Sequence, residues 1–484
     1  MKISNLKIFY ILFVLLFNSK ISYSQLSIAN IFGDNMVLQQ NEENYIWGWA
    51  KKNQKILLKS SWLTGELITA TNEKGYWKIA IPVPKADLKQ HTIEISAGIT
   101  TITLENILFG EVWLCSGQSN MEMQVKGNAN EPIIGSNEYI ASSKNSFIRQ
   151  CFVKQNYSAT PLNDCEAKWE EAHLNTVANF TAVGYFFALQ LYKSLQVPVG
   201  IVNTSKGGTR VEAWMDREIL KNEFKETNLS EIGTDKMVFQ TPTVLFNAMV
   251  NPLVGMRIKG VLWYQGESNI FGSPKKYYSL FPAMISRWRS LWGQGNFPFY
   301  YVQIAPFEYQ KEKKSYVIRD AQLKTLDIIP NTGMATTNDV GDRWNIHPGQ
   351  KKEVGDRLSY LALNKTYGYR NILCGGPIYK GMEIVKGSAI LEFKNAPKGL
   401  TTFNKPLTGF LIAGADKVFY QAKAKVKIEY DKPHHKRRPL LEVYHEKVSN
   451  PVAVRYCWSN WFTGHLYDTG GNPASPFRTD SWDN

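Results

Sequence analysis

Between residues 109 and 360, apolar runs of strand length alternate with longer stretches of helical period, and this alternation restricts the chain to very few folds. The strand-length runs are 109–115, 199–203, 258–264, 297–305 and 334–337. Between them lie the helix-period stretches 183–195, 243–250, 277–292, 318–329 and 350–360. Strand, helix, strand in repetition predicts a parallel sheet covered on both faces, because each return to the same sheet edge needs a crossover. In such sheets, chemistry gathers at the carboxyl ends of the strands.

The flanks have a different period. From 26 to about 106, short alternating runs such as Y-I-W-G-W (45–49) and G-Y-W-K-I-A-I (75–81) are broken by Asn, Gly and Pro, which predicts a small β-sandwich. Alternation returns after 375, for instance in A-I-L-E-F (389–393) and in 452–458, and predicts a second β-rich region. The first 24 residues carry Lys2 and Lys7, an apolar run over 8–17, and Ser22-Tyr23-Ser24 before Gln25. That is the pattern of a cleavable secretory signal, too short to span a bilayer. No later stretch reaches transmembrane length, so no membrane contact is expected after cleavage. The expected organisation is a leader over 1–24, a β-sandwich-like domain over 25–105, an α/β domain over 106–370 and a β-rich region over 371–484. The expected location is periplasmic or extracellular.

Charge and cysteine content exclude several function classes. The chain carries 56 Lys and Arg against 42 Asp and Glu, a formal charge of +14, of which Lys2, Lys7 and Lys20 belong to the leader. The excess is dispersed. Its densest run, His434-His435-Lys436-Arg437-Arg438, is expected to be a solvated turn, and with no nucleic-acid motif beside it nucleic acid is not an expected partner. The five cysteines lack C-x-x-C spacing, and the seven histidines are scattered, so neither a metal nor another cofactor is expected. Cys151 and Cys165 either pair in an oxidising compartment or remain buried thiols.

Residues 113–121 read W-L-C-S-G-Q-S-N-M, an apolar strand that ends abruptly in small and polar residues. Ser119 at that corner stands exposed at the sheet edge, in the position of a nucleophile. The G-x-S-x-G elbow of α/β-hydrolases is missing. Other strand ends carry matching pieces: T-S-K-G-G-T-R (204–210), Q-G-E-S-N (265–269) and the segment 338–348, which contains His347. A hydroxyl, close-approaching backbone N–H groups, an amide and an imidazole are the parts that acyl transfer requires.

These residues resemble those of the sialate O-acetylesterase family, serine esterases with the SGNH-hydrolase fold. The motifs are G-E-V-W-L-C-S-G-Q-S-N-M-E (110–122), S-K-G-G-T-R-V-E-A-W (205–214), W-Y-Q-G-E-S-N (263–269) and I-H-P-x-x-K (346–351). The likeness extends to D-N-M-V-L-Q (34–39) and G-W-A (48–50) in the N-terminal region, and to V-R-Y-C-W (454–458) and P-A-S-P-F-R-T-D (473–480) near the end. It implies a three-layer α/β/α domain with a parallel central sheet between two β-rich flanks. It implies Ser119 as nucleophile and His347 as general base. The oxyanion donors it implies are the Ser119 N–H, the Gly207-Gly208 turn and the Gln265 side chain. Many SGNH hydrolases place an aspartate three residues before the histidine, but here that position is Trp344. The imidazole's orienter is therefore open between Asp339, Asp342 and a backbone carbonyl near Asn345, with the carbonyl favoured. Glu267 is expected to pin neighbouring loops rather than touch substrate, and Arg210, Arg319 and Gln322 are candidates to face it. The remaining histidines, among them His91, His173, His445 and His465, are expected to be structural. The implied partner is an O-acetylated sugar or glycan, foremost a sialic acid; the alternatives are an acetylated xylan or pectin, or a carbohydrate-binding relative without activity.

Overall fold

One strand organises the molecule. In the computed structural model, which describes residues 25–229, 237–310, 312–430 and 437–482, the strand Thr100–Gly117 runs for 18 residues and belongs to two different layers. Its first part, T-T-I-T-L, alternates exposed and buried side chains and pairs antiparallel with His91–Ala97. Its second part is buried at every position from Leu108 onward and lies parallel between Val199–Ser205 and Gly260–Tyr264. The change of hydrogen-bonding partner explains the change of pattern. An antiparallel sheet leaves one face wet and alternates, whereas a parallel sheet covered by helices is buried on both faces. The boundary expected at 105/106 falls inside this strand.

The central sheet runs Ala167–Ala172, Asn145–Val153, Val199–Ser205, Thr100–Gly117, Gly260–Tyr264, Phe299–Val302 and Thr332–Ala335. All neighbours are parallel except the edge pair Ala167–Ala172 and Asn145–Val153, so the sheet is mixed where wholly parallel pairing was expected. Alternate residues of each strand feed two separate cores. Trp113, Cys115, Ile201, Leu262 and Tyr300 pack under the helices Ala182–Leu195 and Lys351–Lys365. Leu114, Val202, Val261, Trp263 and Tyr301 pack on the other side with Tyr277–Trp292 and Ser315–Ile328. These are the three layers of an α/β/α domain. Residues 246–250, read as part of a regular helix, form a π-helical turn instead.

The N-terminal sheets form the predicted sandwich-like packing, with Tyr76–Val83 and His91–Ala97 alternating cleanly between core and solvent. Beyond residue 377 two four-stranded antiparallel sheets enclose a third core around Leu391, Phe410, Leu441, Tyr456 and Phe477. This region also returns to the central domain: Gln303 Nε2 donates to Ser475 Oγ at 2.9 Å and Asn338 Nδ2 to the Ala474 carbonyl at 2.6 Å. Arg437 and Arg438 begin the strand Arg437–Tyr444, so the basic run is not wholly a turn; its residues 434–436, like the proposed leader 1–24, lie outside the described residues. All five cysteines are buried and free, so Cys151 and Cys165 form no disulfide.

Candidate active site

The parallel strand ends in Gly117, whose φ of +137° is barred to a side chain; a Cβ there would stand 2.1 Å from the Tyr264 carbonyl oxygen. The backbone turns at this glycine, and the next residue, Gln118, is locked on both sides. Its N–H donates to the Tyr264 carbonyl at 2.9 Å, and its Oε1 accepts from the N–H groups of Gly266 (3.2 Å) and Ser268 (3.3 Å). Ser119 then opens the short helix Ser119–Glu122 with its side chain half-exposed at the sheet edge.

His347 reaches it from the loop before the helix Lys351–Lys365. Its Nε2 lies 2.7 Å from Ser119 Oγ. Its Nδ1 lies 2.5 Å from Glu131 Oε1, and the other carboxylate oxygen of Glu131 accepts from Asn128 Nδ2 at 3.0 Å. Burial works to raise the Glu131 pKa, but the hydrogen bonds from Asn128 and His347 outweigh it and hold the carboxyl below its ordinary value. The group on Nδ1 is thus neither a neighbouring aspartate nor a main-chain carbonyl, which corrects the expectation. Asp339 is engaged by both guanidinium nitrogens of Arg357 at 2.8 and 2.7 Å, and Asp342 accepts from the N–H groups of Trp344 and Asn345. Asn345 Oδ1 accepts the His347 N–H at 2.8 Å, fixing the loop's backbone rather than the ring.

The expected oxyanion donors divide. Gly207 is pressed against Ser119: a Cβ on it would lie 3.2 Å from Ser119 Cβ and 3.0 Å from Glu122 Oε2. Its own N–H is taken by Glu122 Oε2 at 2.5 Å. Among the described residues the N–H groups of Ser119 and Gly208 have no acceptor. Gln265, by contrast, is wholly inside the protein. Its Nε2 has acceptors in the Thr209 carbonyl (3.0 Å), Asn269 Oδ1 (2.7 Å) and Gln118 Oε1 (3.3 Å), while its Oε1 accepts from Tyr277. With two amide hydrogens already committed it has none for substrate; it ties the 205–209 loop to the 265–269 loop.

Behind Ser119 lies a buried polar network. Asn120 Nδ2 donates to Glu267 Oε1 at 2.6 Å and to the Ile346 carbonyl at 3.1 Å. Lys351 Nζ donates to Asn120 Oδ1 and to the Pro348 carbonyl, both at 2.7 Å. The carbonyls on either side of His347 are therefore both held, that of Ile346 by Asn120, next to Ser119, and that of Pro348 by Lys351, which is itself bonded to Asn120. Burial raises the Glu267 pKa and lowers that of Lys351 to about 7. Arg319 and Gln322 face the interior and not a substrate. Arg319 donates to the Ser459 carbonyl from a fully buried position, and Gln322 bridges the Gln265 and Val302 carbonyls at 3.1 Å each. Arg210 remains at the surface of the site, half-buried. His91, stacked at 4.1 Å on Phe109, belongs to the sandwich.

Glu131 escaped sequence reasoning because it sits in a turn with no period, 216 positions from the histidine. The usable signal was a lone carboxylate in G-N-A-N-E-P (127–132), with Asn130 at φ +60°, directly after the nucleophile motif.

Comparison with known proteins agrees with this geometry. Residues 110–363, a span that holds Ser119, Glu131, Gly207, Gln265, Glu267 and His347, match the family model of carbohydrate esterase, sialic acid-specific acetylesterase. The chain is 28% identical to the sialate O-acetylesterase of Mus musculus across 93% of both chains, and 29% identical to that of Homo sapiens across 75% of both. The crystal structure of a carbohydrate acetylesterase from Xanthomonas citri superposes with a TM-score of 0.84 at 32% identity, covering 94% of this chain and all of the other. Family match and fold thus agree, and the chain belongs to the carbohydrate esterase family of sialic acid-specific acetylesterases.

Proposed function

We propose that the protein is a serine esterase that removes O-acetyl groups from sialic acids through an acetyl-enzyme on Ser119. The observation that carries this is the line of three side chains, Ser119 Oγ 2.7 Å from His347 Nε2 and His347 Nδ1 2.5 Å from Glu131. His347 takes the Ser119 proton as Oγ attacks the acetyl carbonyl. Glu131, as a carboxylate, fixes the tautomer with the proton on Nδ1 and stabilises the imidazolium. The negative oxygen of the tetrahedral intermediate is held by the Ser119 and Gly208 N–H groups, each worth roughly 3 kcal/mol in the transition state. The imidazolium then returns its proton to the departing sugar oxygen, and water, activated by the same nitrogen, releases acetate. Exposed rings on the two loops that frame the site, Phe271 and Trp344, offer platforms for a sugar face. The motive for an inactive relative was the missing aspartate before His347, and Glu131 removes that motive.

Acetate release from O-acetylated sialic acid and from acetylated xylan, by wild type and by Ser119→Ala, tests the proposal. Wild type is expected to prefer the sialic acid, and Ser119→Ala to lose roughly 10⁴-fold or more. Equal rates for the two proteins would sink the nucleophile; preference for xylan would sink the substrate. Export to the periplasm or outside the cell is part of the same proposal, supported by the leader pattern of residues 1–24. A mature chain that began at Met1 would refute it.

A further inference from the structure

We propose that Arg210 is the group that reads the carboxylate of an O-acetylated acidic sugar at this site; the inference rests on the esterase reading above. Arg210 closes the run Lys206-Gly207-Gly208-Thr209-Arg210, whose Gly207 touches Ser119. Three residues separate it from that contact, at most about 11 Å of extended chain. Its guanidinium lies against the backbone of Gly272, where an added Cβ would stand 3.6 Å from both Cζ and one terminal nitrogen. Gly272 ends the segment Glu267–Phe271, which begins with the residue that holds Asn120. Arg210 is therefore clamped between the two loops that frame the nucleophile.

What distinguishes it is the lack of any partner. Its Nε is out of contact with solvent and has no acceptor, and among the described residues no carboxylate or carbonyl lies within bonding distance of the group. Arg287 is matched to Asp216 and Glu218, Arg357 to Asp339, Arg455 to Asp480, and Arg289 to three carbonyls, while Arg319, deep in the interior, keeps one acceptor, the Ser459 carbonyl, and leaves its Nε and one terminal nitrogen open. Withdrawing a guanidinium from water without an acceptor is unfavourable, and a planar fork left open suits a carboxylate, which it binds bidentately. Among the described residues Lys206, on the same loop, forms no ion pair either; its Nζ sits 5.4 Å from the Phe239 ring.

Sialic acids and uronic acids share this carboxylate, and the test separates them. Wild type, Arg210→Gln and Arg210→Lys are assayed on O-acetyl-N-acetylneuraminic acid, on its carboxyl methyl ester, on acetylated glucuronoxylan oligosaccharides and on neutral acetylated xylobiose. Wild type is expected to favour the free acid over its methyl ester by roughly tenfold or more in kcat/KM, as one charged hydrogen-bonded pair supports. Arg210→Gln is expected to erase that preference through KM, and Arg210→Lys to keep part of it. A gain confined to glucuronoxylan over xylobiose would assign the carboxylate to a uronic acid and still support the proposal. Equal rates of wild type on acid and ester, and on acidic and neutral xylan, would overturn it without recourse to any variant. So would an Arg210→Gln protein that loses the same factor on every substrate, since that is a structural effect. If wild type releases acetate from none of them, the esterase reading fails first and takes this inference with it.

Discussion

The two sides of the site are built in opposite ways. Ser119 stands at the end of a buried strand, and its neighbour Gln118 is fixed by four hydrogen bonds to Tyr264 and the loop that follows it. His347 stands on a half-exposed loop and owes its place to groups from elsewhere: Glu131 on the ring, Asn120 and Lys351 on the carbonyls before and after it. The nucleophile is set by local backbone geometry, the imidazole by a quorum of distant side chains. Substitutions on the serine side should therefore act through crowding, and those on the histidine side through orientation and pH.

The most damaging change on the histidine side, after His347 itself, is expected to be Glu131→Gln. It keeps the shape but removes the charge and the preference for one tautomer, and should lower kcat by about 10²–10⁴ with little change in KM. Asp342→Asn, by comparison, should stay within about twofold, since its partners are the backbone N–H donors of Trp344 and Asn345 in a surface turn, which an amide oxygen also accepts. A reversed order in steady-state kinetics would return the orienter to Asp342. The Glu131 carboxyl is held below its ordinary value in the folded state, so its stabilising effect is complete above the unfolded value of about 4.3 and is lost as pH falls through the folded one. The gap in urea midpoint between wild type and Glu131→Gln should accordingly be present at pH 7 and close in acid.

On the serine side, Gly207→Ala places a methyl 3.2 Å from Ser119 Cβ and 3.0 Å from Glu122. A displacement of a few tenths of an ångström at the nucleophile should cost kcat roughly tenfold or more while leaving the pH profile where it was. A shifted profile would mean that the crowding reached the imidazole. Of the changes expected to lower activity, the smallest is Lys351→Met, a loss of about tenfold or less in kcat from two missing hydrogen bonds. Its signature is in stability. Burial holds the Lys351 ammonium pKa at about 7, while the unfolded lysine keeps a value near 10.4. The unfolded chain thus binds more protons between those two values, and this group's contribution makes stability rise with pH across that window. Urea denaturation of the methionine variant from pH 7 to pH 10 should show that rise diminished; an unchanged slope would assign it to another group.

The same contrast governs what could be read from the amino-acid order. Ser119, the Gly207-Gly208 turn and the strand ends that carry them lie in continuous motifs: period placed them at strand ends, and the resemblance of those motifs to a family implied their roles. The covered parallel sheet was legible because strand-length apolar runs alternate with helix-period stretches, and adjacent residues of one such run, Trp113 and Leu114, do face opposite cores. Glu131 was not legible: a carboxylate in a turn carries no periodic mark, and its meaning depends on a loop far along the chain. Gln265 and Arg319 misled in the reverse sense. Gln265 lies just past a strand and Arg319 within the helix Ser315–Ile328, yet both turn inward, where a second loop supplies their partners. Burial at a strand end is decided by what folds over it, and that information is not local.

The 18 residues of Thr100–Gly117 belong at once to the wall of the N-terminal sandwich and to the strand that bears Ser119. No linker joins the two layers, so neither can swivel against the other. A cut at 105/106 would sever a ladder and bare its edge, and the sandwich is for that reason no detachable accessory. It is the root from which the catalytic strand grows, and heat or denaturant should melt the two together, in one transition.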